Sequence, residues 1–385
     1  MTKRLTFLEA ASIVAGYGIG GGIMAVPYLA SLAGWASLLV VSVLSYFVSL
    51  LLHLMIVEMM MRDDKRDQVV ELLNEYLFRG RFGPFFTWAF FGLCVLAFFG
   101  TLTVYLVGSG EIFKETLHFP LWAGEVIFYV VAAGVAFFGL KAVGLSEKFG
   151  VTAIVLVVIV LVAVTLVKLP FSFEGVKAVG EFKPILALYG MVMFSLFAFF
   201  SVPQAVVGLR WNPRLVPWAV AAGLGITLVL VLVISLVVMG VNKEVTKIAI
   251  VGWGMALGGW SMVLGQVFIL LAMLTSFWSI SLALAVVLQE RLGWGEKSSW
   301  AVSTLPSLVV ALVGFTDFLG FLRLTGGLIA VLVAVIMVPA YLSTKKRGPV
   351  KTPAWTMGRW ASHVFLAVVI VGYILVIIGS SVTLE

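Results

Sequence analysis

Charge, cysteine and histidine are scarce in this chain. Of its 385 residues only 11% are charged, one is cysteine and three are histidine. A soluble domain carries about 25% charged residues, so the composition excludes an ordinary water-facing fold. The single Cys94 excludes an intrachain disulfide and a cysteine-built metal site; it reads as a small buried apolar residue. His53, His118 and His363 are too scattered to assemble into a nucleophilic triad. The phosphate-cradling pattern GxxxxGK[ST] is missing, which argues against ATP-driven work by this chain. No short apolar segment with a small-residue cleavage site opens the sequence, so no cleavable signal peptide is expected.

What the chain has instead is apolar length. Hydrophobic residues make up 62% of it. Windows long enough to span hydrocarbon fall at 7–33, 35–61, 84–113, 121–140, 149–168, 184–208, 215–240, 260–289, 299–316, 318–343 and 360–381. The expectation is an all-α integral membrane protein of eleven transmembrane helices. With the N-terminus in the cytoplasm, 18 lysines and arginines fall on the inner side, 6 on the outer side, and Arg323 within a span. The bias of positive charge toward the inside then sets the N-terminus in and the C-terminus out, in a plasma membrane. It also accounts for the net charge of +7 without nucleic acid as a partner.

Glycine is the second abundance, and its placement is informative. Ala15–Pro27 reads AGYGIGGGIMAVP, with Gly16, Gly18, Gly20, Gly21 and Gly22 in the middle of the first span. Glycine costs about 1 kcal/mol against alanine in a helix interior. A spanning helix must satisfy its own backbone, and irregular backbone at that depth survives only where it lines a cavity or is covered by protein. Gly16 and Gly20, four apart, also fit a close-packing helix face, but three consecutive glycines point in different directions. A break that holds a polar substrate follows. Span six, 184–208, echoes it: each has a break candidate in its middle and a Val-Pro pair after it, Val26-Pro27 and Val202-Pro203. Spans one to five (7–168) and six to ten (184–343) then form two halves of opposite orientation, with the eleventh helix (360–381) outside the repeat. Paired interrupted helices of this kind mark the binding site of secondary transporters.

The candidate site residues follow from these breaks. The second half of span one starts at Gly21-Gly22-Ile23, whose free N–H groups suit a carboxylate. Ser195, Phe197, Ala198, Phe199 and Phe200 of span six would form the opposite, apolar wall, unless the phenylalanines merely pack or face lipid. In span eight, Ala272, Thr275 and Ser276 share one helical face. With carbonyls from about Gly16 and Ile19 they offer hard oxygens to a cation such as Na⁺; alternatively the hydroxyls bond back to their own helix. Ionisable groups inside spans are functional candidates: Glu9, His53, Glu58 and Arg323. Glu9 and Glu58 suit pairing with inner cations, Arg323 suits pairing with Asp317 or closing an outer gate, and a proton-coupled mechanism would use Glu9, His53 or Glu58. Gln204 would line the inner path. Asp67–Phe78 reads as a short interfacial helix, with Val70, Leu73, Tyr76 and Leu77 at helical spacing. Lys243–Gly259 reads as a loop folded over the outer mouth or as the start of span eight.

These stretches resemble the amino acid/auxin permease family, nearest its bacterial aromatic amino acid branch. IGGGIMAVP in span one is similar to its IGAGMLALP-like stretch, Phe197-Ala198-Phe199 followed by Val202-Pro203 to its FGF…IP, and Thr275-Ser276-Phe277 to its TSF; Glu58 fits a glutamate ending span two. The resemblance implies the LeuT-type five-plus-five inverted repeat with discontinuous helices one and six, and alternating access with amino acid symport. It implies that Gly20, Gly21 and Gly22 meet the substrate's carboxylate and amine opposite Phe197, Ala198 and Phe199. It further implies that Gly16, Ile19, Ala272, Thr275 and Ser276 form the common sodium site. Span six departs from the branch at Phe200-Ser201, where histidine and glycine are usual, so the substrate class is a neutral amino acid, aromatic or branched apolar. Some proton-coupled relatives carry a lysine in span five; Gly150–Val167 has none, which favours Na⁺ over H⁺ as coupling ion. No other cofactor, no enzymatic activity and no obligate protein partner are expected beyond the substrate and the bilayer. An amino acid receptor of the same fold is the alternative to a transporter.

Overall fold

A computed structural model describes residues 4–63, 68–241, 245, 249, 253–254, 257–314 and 336–382. The regular structure among them is entirely helical. The helices used below are α1 (Phe7–Ile19), α2 (Gly21–Ala33), α3 (Trp35–Asp63), α4 (Val69–Tyr76), α5 (Gly83–Leu117), α6 (Leu121–Phe137), α7 (Leu140–Lys168), α8 (Phe182–Ser195), α9 (Val202–Gly208), α10 (Val216–Val241), α11 (Trp260–Leu292), α12 (Glu296–Val313) and α13 (His363–Ser381). Residues 336–347 are also helical. Among the described residues six helices are each long and apolar enough to cross a membrane, and α1 with α2 pass the same test as one bent pair. Most of the tenth expected span, with Arg323 and Asp317, lies outside the described residues, as does most of Lys243–Gly259.

The bundle is organised around α1. Thr6 caps it reciprocally: Glu9 N–H donates to the Thr6 hydroxyl (3.3 Å) and Thr6 N–H donates to the Glu9 carboxylate (2.9 Å), satisfying two of the free donors of a helix start. From Glu9 to Ile19 every residue of α1 is buried, so the helix is surrounded by protein. It packs on α10, α7, α11 and α9. The helix stops at Gly20 (φ −47°, ψ −133°) and resumes with a 56° bend. Pro27 sits inside α2, well past the bend. The first break is therefore made by glycine and not by proline. In span six α8 ends at Ser195, Leu196–Ser201 is irregular, and Pro203 stands in the first turn of α9, where a proline suits a helix start.

Two loops are built into the bundle. Gly34 (φ +94°) turns the chain between α2 and α3, and the segment before α8 lies against it: Gly180 N–H donates to Ala33 O (2.6 Å) and Ala36 N–H to Ala178 O (3.0 Å). A side chain at Gly34 would strike that backbone. The short helix read as interfacial is α4, and protein covers it. Val69, Val70, Leu72, Leu73 and Tyr76 are buried, Glu71 pairs with Arg291 (3.3 Å), and Arg291 lies over the Trp88 ring (4.4 Å). Within Lys243–Gly259, Trp253 is buried and its indole N–H donates to Thr165 of α7 (2.8 Å).

Candidate functional site

The two breaks meet. A Cβ added at Gly18 would strike the Ser195 carbonyl, and one at Gly22 would strike the Ser195 side chain. The glycines of α1 and α2 thus allow the backbone of span one to lie against the last turn of α8. This is a close-approach reason for Gly18 and Gly22 that the sequence pattern alone does not supply. A Cβ at Gly20 would meet the hydroxyls of Tyr105 and Ser276, so α5 and α11 close the other side. Ile23 is fully buried beside the break.

The irregular stretch of span six is held by α3. Ser49 Oγ donates to Leu196 O (2.7 Å), and His53 Nε2 accepts the Ala198 N–H (2.9 Å). His53 Nδ1 faces Ser49 O at 2.6 Å. With Nε2 accepting, Nδ1 carries the hydrogen and donates to that carbonyl, which makes the ring the neutral tautomer. Two side chains one helical turn apart therefore satisfy a carbonyl and an amide that the break leaves without helix partners. A His53→Phe substitution is expected to weaken substrate binding about tenfold, since stranding one buried amide costs about 1–3 kcal/mol. Isothermal titration on the purified protein checks it. The wall itself is aromatic: Phe197 and Phe199 stack with centroids 5.6 Å apart at 4°, and Phe200 meets Phe199 at 4.8 Å and Phe98 at 4.6 Å.

Two of the candidate cation residues, Gly16 and Ser276, meet across helices. Ser276 Oγ donates to Gly16 O (2.8 Å), joining α11 to the C-terminal end of α1. Thr275 Oγ1 donates back to Ala272 O (3.1 Å). The carbonyl end of α1 adds the negative pole of its helix dipole at this point. Ile19 and Ala272 are fully buried nearby in their helices.

Of the ionisable candidates, His53 supports the substrate wall, Arg323 lies outside the described residues, and Glu9 and Glu58 make their contacts elsewhere. Glu9 binds Lys141 of α7 (2.6 Å) as well as its own cap. The N-terminal end of α1 is further fixed by Leu5 N–H on Gly208 O (2.9 Å), by the Trp211 indole on Leu5 O (2.9 Å) and by Arg4 over the Trp211 ring. Glu58 is buried with every contact made by a donor: Arg62 (2.8 Å from Nε), Tyr341 Oη (2.7 Å) and Met357 N–H (2.9 Å). It ties α3 to the segment before α13. Gln204 lines a cavity of about 340 Å³ at the end of the bundle that carries the N-terminus, together with Lys141, Gln289 and Trp300, and donates to Ser279 O (3.0 Å).

Three residues of this region were absent from the sequence reading: Tyr105, Ser279 and Glu147. The fifth span is expected from residue 149, where an uncharged run begins after Lys141, Glu147 and Lys148. The helix starts at Leu140, after Gly139 at φ +78°. That start puts Gly144, Glu147 and Gly150 on one face at helical spacing. The signal was the small-charged-small pattern at intervals of three.

A sequence model of the Tryptophan/tyrosine permease family matches residues 3–380. The chain belongs to that family. No curated protein matches it. Among solved structures this permease is similar to MhsT in complex with L-phenylalanine, with TM-score 0.69, 14% identity and 98% of each chain covered. It is also similar to MHP1, a nucleobase-cation-symport-1 family transporter held closed with bromovinylhydantoin, with TM-score 0.57, 15% identity, 98% of this chain and 92% of that one. The permease thus has the LeuT-type fold, in which the breaks of spans one and six face each other. It is a multi-pass membrane transporter and not an enzyme.

Proposed function

We propose that this permease imports a neutral amino acid, aromatic or branched apolar, by cation-coupled symport with alternating access. The observation that carries the reading is the meeting of the two breaks at Gly18, Gly22 and Ser195. There the N-terminal end of α2 offers N–H donors for a carboxylate at Gly20, Gly21, Gly22 and Ile23. Ser195, Phe197, Ala198 and Phe199 receive the side chain, and an apolar stack such as Phe197 on Phe199 suits an aromatic one. The family and the phenylalanine complex of a similar fold support that substrate class. Na⁺, carried as a co-substrate, would use oxygens of Gly16, Ile19, Ala272, Thr275 and Ser276. The fit rests on the donor chemistry, since all are carbonyls or hydroxyls, and on Ser276 already reaching Gly16 O. The charge bias supports an inward N-terminus and outward C-terminus in the plasma membrane, and the amino acid/auxin permease likeness supports eleven spans.

Uptake of a mixed set of labelled amino acids into proteoliposomes tests it. Accumulation driven by a Na⁺ gradient is expected, and it should fall to background in the double variant Thr275→Ala, Ser276→Ala. Binding of an amino acid without accumulation under any imposed gradient would overturn the transporter reading in favour of a receptor.

A further inference from the structure

The cavity of about 340 Å³ at the end of the bundle that carries the N-terminus stands apart from the two breaks. None of the residues proposed for the substrate or the cation lines it. Its wall on α11 runs from Leu282 to Gln289, and from Thr275 to the middle of that wall the helix rises about 15 Å. Further walls come from the end of α6, the start of α7, α9 and the start of α12. Pockets that hold small molecules begin at about 300 Å³, so the space admits one.

The lining has an aromatic side and a charged rim. Phe137 of α6 and Trp300 of α12 meet edge to face, with centroids 5.0 Å apart at 80°. The Trp300 indole donates to Ala133 O (2.8 Å), which holds the ring in place and engages its one donor. Val286 continues the apolar surface on α11. At the rim, α12 opens with Glu296 and Lys297, both exposed. Neighbouring positions of a helix do not face each other, so these two do not neutralise one another. Lys141 of α7 is the third charged group of the lining. Both Glu9 oxygens hold its ammonium (2.6 and 2.8 Å), yet its side chain stays 37% exposed.

This mixture selects among ligand classes. A simple anion would face Glu296 as well as the lysines. A simple cation would face Lys141 and Lys297. An uncharged apolar molecule would leave all three charged groups to water. A zwitterion answers both signs at once, its carboxylate toward Lys297 and its ammonium toward Glu296. An aromatic side chain on the same molecule would meet Phe137 and Trp300. Apolar walls with a few polar groups that fix orientation are what small-molecule sites present.

We infer that this cavity is a second amino acid site, filled from the side of the membrane that holds the N-terminus, and that its occupant slows turnover. The inference rests on the transporter reading. α6 and α7 belong to the first half of the inverted repeat, and α9, α11 and α12 to the second. An occupant between them bridges the halves, and a ligand that prefers one arrangement holds the protein in it. Two wall residues carry the effect toward the centre. Lys141 grips Glu9 of α1, and Gln204 donates to Ser279 O of α11 (3.0 Å), one turn beyond Thr275 and Ser276. Accumulated product thus damps its own import.

Equilibrium dialysis of labelled L-tryptophan against the purified protein tests the site. Two molecules should bind each wild-type protein. Val286→Trp, which fills the cavity, should leave one. Lys297→Glu, which alters only an exposed side chain, should weaken one of the two sites about tenfold. Gly18→Ala should lose the molecule at the breaks and keep the one in the cavity. In proteoliposomes preloaded with L-tryptophan, initial uptake by wild type should be several-fold slower than in empty ones, and both cavity variants should lose that slowing. A single L-tryptophan site or none in wild type overturns the inference, as does a second site that both cavity variants leave unchanged. Preloading that does not slow wild type, or slows both variants equally, overturns it too. If uptake under a gradient proceeds all the same, the transporter reading stands. If nothing accumulates under any gradient, that reading fails by itself, and the number of molecules bound still decides the cavity.

Discussion

Glu58→Ala is expected to destabilise the protein by about 3–5 kcal/mol, read as a large drop in unfolding temperature in detergent. The size follows from what the substitution leaves behind. Glu58 and Arg62 are both buried, 2.7 Å apart, and the same carboxylate takes the hydroxyl of Tyr341 and the N–H of Met357. Removing it strands a buried guanidinium and two further donors at once. Arg62 also reaches Lys351 O (3.0 Å), and its own carbonyl accepts from Val350 N–H, so the segment leading to α13 loses its attachment to α3. The double variant Glu58→Ala, Arg62→Met should regain a substantial part of the loss, because no unpaired charge remains. If the double variant is the sum of two independent losses, the pair is not coupled and the account is wrong. Substrate affinity per folded molecule should change little, since this cluster lies away from the two breaks.

Gly18→Ala should remove uptake almost completely while leaving the bundle folded. The added methyl points at the Ser195 carbonyl, which belongs to the last turn of α8 and has no rotamer through which to retreat. Overpacking of this kind costs about 1–3 kcal/mol, too little to unfold a large helical bundle. It forces the two breaks apart where the substrate is proposed to bind, and small displacements at a preorganised site are costly. Gly92→Ala is the control: nothing lies within reach of its Cβ, so it should transport normally and be slightly stabilised, by about 0.4–1 kcal/mol. A Gly18→Ala protein that transports at the wild-type rate would show that the contact of α1 with α8 does not shape the site.

Gly18 and Glu58 also mark how far the sequence can be read. The glycine run pointed to an interruption of span one, because three consecutive glycines weaken a helix at mid-membrane. The run did not show that Gly18 and Gly22 both face Ser195, since that needs the crossing of two helices far apart in the chain. Glu58 was visible as an acid within a span, and its pairing with inner cations was expected. Its saturation by Arg62, Tyr341 and Met357 depends on a loop almost 300 positions away. His53 was visible for the same reason. The sequence presented it as a candidate proton site, whereas the fold gives both ring nitrogens backbone partners in this conformation.

By itself, the sequence determined the solvent and the class of fold. Apolar length, sparse charge and two mid-span breaks leave a polytopic helical membrane protein with few alternatives, because hydrocarbon forces each span to satisfy its own backbone. It also supplied most of the residues around the breaks, through local pattern: glycines in a row, and hydroxyls three and four apart. Only the tertiary structure decided which buried acids are neutralised by neighbours and which are not. Glu9, Glu58 and Glu147 look alike in sequence, each an acid close to a lysine or arginine. Packing gives Glu9 the Lys141 ammonium and Glu58 the Arg62 guanidinium, and turns Glu147 inward against Gly16 and Ser279 with neither. That difference is set by helix phase and by partners distant in the chain, neither of which a local pattern contains.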